Sequence, residues 1–100
     1  MAENKGNGKE QTTKFKEISI LFPDELKKGQ FANNVFIVHT SEEFVLDFLS
    51  VGAPVGSAVA RIFLTPSHTK RLARALSENI ERYEADYGKI KEVIQSKNPA

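Results

Sequence analysis

At Thr65–Pro66 the apolar residues change their period, and that switch constrains the fold more than any other feature of the chain. Before it, apolar residues alternate over short runs. After it they recur at Leu72, Leu76, Ile80, Tyr83, Tyr87, Ile90 and Ile94. The successive gaps of 4, 4, 3, 4, 3 and 4 are helical, and from Leu76 onward they keep a heptad. Thr65 is an N-cap residue type, and Pro66 stands at the first helical position, where proline is favoured. The spacing predicts a helix from 66 to about 95, with Gly88 as its weak point at a cost of about 1 kcal/mol relative to Ala. Arg74, Glu78 and Arg82 form an i, i+4 ladder on an outer face.

Four strand-like segments precede the switch. "FKEISILF" (15–22) alternates, with Ile18, Ile20 and Phe22 on one face, and ends at Pro23–Asp24. "FANNVFIVHT" (31–40), residues 43–51 and "AVARIFLT" (58–65) follow, rich in β-branched and aromatic residues. The links between them are short, which argues for an antiparallel meander. The predicted fold is α+β: a four-stranded antiparallel β-meander followed by one long C-terminal α-helix packed on the sheet. Residues 1–14, "MAENKGNGKEQTTK", hold no Leu, Ile, Val or Phe and read as a disordered tail. A single β-β-β-β-α domain is expected over 15–96, with 97–100 frayed.

The folded part is about 80 residues, a size at which one core is marginal without help. Disulfides give none, because the chain has no cysteine. The same absence excludes zinc fingers, iron–sulfur clusters and thiol catalysis, and fits a reducing compartment. No apolar run reaches membrane-span length and the polar N-terminus is no signal peptide, so a cytoplasmic protein with no membrane partner is expected. A net charge of +1 is no footprint of a nucleic-acid binder.

Within this frame Asp47 stands out, a carboxylate in the middle of the apolar run "SEEFVLDFLSVG" (41–52). If 43–51 and 58–65 pair about a loop near Pro54, residues whose numbers sum to 108 face one another. Phe44 then meets Leu64, Leu46 meets Ile62 and Phe48 meets Ala60, a face assigned to the helix. On the other face Val45 meets Phe63, Leu49 meets Val59, and Asp47 meets Arg61 as a structural cross-strand pair of opposite charge.

Candidates for chemistry are sparse. His39, Glu42, Glu43 and His68 lack the converging ligand spacing of a metal site, and Ser41 and Ser67 lack an adjacent base. "GAPVGS" (52–57) is a hairpin loop and not a phosphate-binding fingerprint. Asn33–Asn34 reads as a polar edge or bulge. No catalytic residue, metal or cofactor is therefore expected. Lys70, Arg71 and Arg74 crowd the positive end of the helix dipole and make a candidate anion-binding site, or pair with acids of the sheet edge or a partner subunit.

A helix of that span would be about 45 Å long, against about 26 Å for an eight-residue strand. The sheet cannot cover the whole stripe, so Tyr83, Tyr87, Ile90 and Ile94 are candidate interface residues. Both sheet faces also carry large apolar side chains, and one helix covers only one of them. A homodimer or higher oligomer follows.

The stretches "FANNV", "HTSEEFVLDF", "ARIFLTPSH" and "LARALSENIERYEADYG", within residues 31–88, resemble a small prokaryotic family of unknown function, DUF3467. That resemblance implies a compact bacterial or archaeal protein and carries no activity. The β-β-β-β-α order is also similar to that of the SecB-type export chaperones, a likeness of topology alone. The function expected is non-catalytic: self-assembly and the binding of another protein, as an adaptor or small chaperone. The alternative is a nucleic-acid or anion-binding module using the basic helix start.

Overall fold

Residues 10–93 are described in a computed structural model of the chain. The order is β1 (Glu10–Phe15), β2 (Ile18–Pro23), a single 3-10 turn (Asp24–Leu26), β3 (Asn34–His39), β4 (Phe44–Ser50), β5 (Ser57–Leu64) and α1 (Pro66–Tyr87). The chain divides into two compact units, residues 1–31 and residues 32–100. The expected tail over 1–9, the frayed end at 97–100 and Ile94 lie outside the described residues.

The first unit corrects the expected architecture. Residues 15–22 are not one strand. They straddle a two-residue turn at Lys16–Glu17, which folds β2 back on β1 with Phe15 opposite Ile18 and Glu10 opposite Pro23. Residues 10–14, assigned to a tail from their polarity, supply most of β1. Lys16 takes φ 56°, the left-handed region in which hairpin turns of this length usually place Gly or Asn. Neither residue type is present at the turn, so no local signal announces it. The fold is thus a two-stranded sheet and a three-stranded sheet, in place of a four-stranded meander.

In the second unit β4 lies between β3 and β5, and both pairings are antiparallel. The register between β4 and β5 is the expected one from Phe44–Leu64 through Asp47–Arg61 to Phe48–Ala60. It then slips by one. Leu49 faces Ala58 and not Val59, because a bulge lies between Phe48 and Leu49. In the connection back to β5, a Cβ on Gly56 would come within 3.3 Å of the Ser50 carbonyl oxygen, so the close approach there suits glycine.

α1 begins where the period changes. The Thr65 hydroxyl accepts the His68 backbone N–H at 3.1 Å, and Pro66 opens the helix. It ends earlier than expected, at Tyr87, with Gly88 at φ 99° donating its N–H to the Glu84 carbonyl. Ile90 therefore lies past the helix. Its N–H donates to Glu84 Oε2 at 2.9 Å, which turns the chain after Gly88 back toward the last helical turn.

The architecture is α+β: a two-stranded antiparallel sheet in the first unit, and a three-stranded antiparallel sheet with one C-terminal helix in the second. Burial within the single chain is slight. Leu46, at the centre of the middle strand, is the one apolar residue among those described that is buried, at 6% exposure. Ile37 and Ile62, directly opposite it on the two neighbouring strands, remain 48% and 43% exposed. No residue of α1 is buried.

Candidate functional site

The acid and the base of the three-stranded sheet, Asp47 and Arg61, come together at one place. Asp47 on β4 lies opposite Phe36 on β3 and Arg61 on β5. Arg61 donates twice to it, Nε to Oδ1 at 2.7 Å and Nη2 to Oδ2 at 2.9 Å. This bidentate fork is the geometry that suits guanidinium and carboxylate best. It holds the Asp47 carboxyl below its ordinary value, because the hydrogen bonds from Arg61 outweigh the desolvation that raises it, and the guanidinium charge adds to them. Arg61 is raised in return, by the same hydrogen bonds first and by the charge second. Both lone-pair edges of the carboxylate are engaged, which suits a structural charge and not a proton donor. The Asp47 side chain is 17% exposed and that of Arg61 64%, so the fork shields the carboxylate while its own far side meets solvent.

The residues weighed as a metal or acid–base group are dispersed into local roles. The His39 ring stacks on Phe44 with centroids 5.1 Å apart. The Thr40 hydroxyl accepts the backbone N–H groups of Glu42 and Glu43, closing the turn between β3 and β4. His68 Nδ1 lies 2.9 Å from Thr65 Oγ1, within the helix cap. Among the described residues no three His, Asp or Glu side chains stand close enough to hold a metal ion. No helix there is long and apolar enough to cross a membrane.

Lys70, Arg71 and Arg74 are all exposed. Arg71 donates to Ser67 Oγ one turn back at 3.2 Å. At about 100° per residue Arg71 and Arg74 lie on the side of α1 away from the Leu72, Leu76 and Ile80 stripe, and Lys70 lies nearer, at the flank of that stripe. Their positive charge stands on a solvent face beside the helix start and forms no enclosed cradle.

The stripe itself is open. Leu76, Ile80 and Tyr83 are 54%, 46% and 50% exposed. The Tyr83 and Tyr87 rings lie 4.9 Å apart along it. Ile90, folded back after Gly88, joins Leu76, Asn79, Ile80, Tyr83 and Asp86 around a shallow groove of about 420 Å³. So Tyr83, Tyr87 and Ile90 do share one apolar surface, although Ile90 reaches it from beyond the helix.

Asn33 makes no bulge and stands, as the other half of its sequence reading has it, at the polar start of the edge strand β3. Its side-chain amide donates to the Val51 carbonyl at 3.0 Å and its Oδ1 accepts the Val51 N–H at 2.8 Å, extending the β3–β4 ladder past its last backbone pair. An amide carries one donor edge and one acceptor edge, as a peptide group does, and that likeness is the only signal of this role in the sequence.

The fold and these surfaces define a small α+β chain with open apolar faces and a cross-strand ion pair, Asp47–Arg61. The chain belongs to the family described as "Protein of unknown function (DUF3467)", whose model matches residues 1–92. No curated protein and no solved structure matches it. The four-strand order behind the likeness to SecB-type chaperones gives way to five strands in two sheets.

Proposed function

We propose that this is a non-catalytic, self-assembling protein that binds another polypeptide, as an adaptor or small chaperone of the cytoplasm. The carrying observation is the mismatch between apolar surface and burial: among the described residues, one buried apolar residue against exposed apolar side chains on β2, β3, β5 and α1. Apolar surface on this scale marks an interface. Several separate faces allow one to serve a second copy and another a different polypeptide. A chain without cysteine is also at ease in a reducing compartment.

Light scattering on the purified chain tests the first half, and an oligomer at tens of micromolar is expected. Titration with a reduced and alkylated, permanently unfolded polypeptide tests the second. Saturable binding that changes little with salt is expected. A monomer that ignores the unfolded chain would refute the proposal, and so would binding to nucleic acid alone with the steep salt dependence of counterion release.

A further inference from the structure

The order of charges along α1 runs against the helix dipole. Its first half carries Lys70, Arg71 and Arg74 and no acid. Its second half carries Glu78, Glu81, Glu84 and Asp86 against Arg82 alone. The first turn has no acidic residue and the last turn no basic one. An isolated helix prefers the opposite at both ends. A second helix laid antiparallel alongside would compensate the order, because each basic half would then lie on an acidic half.

The apolar stripe has the matching register. With Ile80 and Tyr87 at heptad position a, and Leu76 and Tyr83 at d, the flanking e positions are Lys70, Ser77 and Glu84. We propose that α1 pairs antiparallel with α1 of a second copy, about a two-fold axis close to Ser77 and Glu78. This names the surface used in the self-assembly argued above and rests on that reading. In this register Leu76 faces Ile80 of the other copy, Ala73 faces Tyr83, and Thr69 faces Tyr87. The tyrosines thus meet small residues and the layers interdigitate.

Lys70 of each copy meets Glu84 of the other, twice per dimer, and Ser77 meets its own equivalent on the axis. Glu84 suits this contact. Its Oε2 is held by the Ile90 N–H at 2.9 Å, which orients the carboxylate and leaves Oε1 to a partner. A parallel pair would set e against g, bringing Ser77 to Leu72 and Glu84 to Asn79, with no opposite charges in contact. The charges of this helix select the antiparallel arrangement.

The chain has no cysteine, so single introduced thiols report cleanly. In the full chain, with folding checked by circular dichroism, Ser77→Cys is expected to cross-link to itself with a short bis-maleimide. Lys70→Cys should cross-link only when mixed with Glu84→Cys. Lys70→Glu should weaken dimerisation about tenfold at low salt, and the Lys70→Glu/Glu84→Lys double variant should restore it. A dimer in which Ser77→Cys does not cross-link, and the two charge changes act independently, would overturn the antiparallel pairing while leaving self-assembly standing. A monomer at tens of micromolar would overturn both.

Discussion

β4 and α1 each carry five large apolar side chains, in seven residues and in 22, and the chain treats them differently. β4 has a neighbour on each side, and those neighbours place Ile37 and Ile62 across from Leu46 and Arg61 across from Asp47. Every residue of β4 is at least half-buried. α1 follows after one capping residue and keeps its whole stripe open. A central strand is covered by its own ladder, whereas a helix satisfies its hydrogen bonds internally and still has an apolar face to bury. Stability at β4 therefore belongs to the single chain, and stability along α1 belongs to whatever covers it.

Leu46→Ala attacks the first half of that contrast and carries the largest expected effect. It removes the most buried apolar side chain and should cost about 2–5 kcal/mol in denaturant unfolding. The loss should be the same in dilute and concentrated protein, and a loss confined to concentrated samples would break the contrast. Leu76→Ala attacks the other half. Leu76 is 54% exposed in the single chain, so intrachain stability should fall by less than about 1 kcal/mol. The melting temperature at high concentration should fall further, as the assembled state loses its advantage by mass action.

Asp47 gives a smaller and sharper test. Asp47→Ala and Arg61→Ala should each lower the melting temperature by a few degrees, and the double variant should recover much of the loss, since neither charge is then left alone. Additive losses would show that the two side chains act independently. The pair also predicts a pH dependence. Asp47 is lowered from 3.8 in the folded chain, so its contribution is full above that value. It should be lost as the pH falls further, through the lowered value, because protonation removes the acceptor that Arg61 engages. Acid titration of the Asp47→Asn variant should lack this component.

The smallest effect concerns the hairpin of β1 and β2, which like α1 leaves large apolar residues open: Ile18 is 59% exposed and Leu21 54%. A two-stranded hairpin is marginal by itself in water. Lys16→Gly removes the side chain from a left-handed turn position and should stabilise the hairpin by less than about 1 kcal/mol. Unchanged amide hydrogen exchange across β1 and β2 would show that something other than this turn limits it.

Where a single residue or a short period carries the instruction, the sequence alone determined the outcome. The helix start follows from Thr65 and Pro66, which act on the nearest turn. The β4–β5 register follows from the apolar alternation and from opposite charges at Asp47 and Arg61, because a one-residue slip would put every side chain on the wrong face. Gly88 was readable as a weak point but not as the end, since a glycine only permits the left-handed cap and the fold-back of Ile90 onto Glu84 completes it. Tertiary structure decided the rest. The polar run Glu10–Lys14 becomes a strand only because β2 lies beside it to take its backbone hydrogen bonds. The bulge that shifts Leu49 from Val59 to Ala58 exists only in the pairing of β4 with β5, and no local propensity records it. Asn33 likewise joins the ladder only because Val51 stands opposite. Local steric preferences are written residue by residue, whereas a backbone partner distant in sequence exists only once the chain has folded around it.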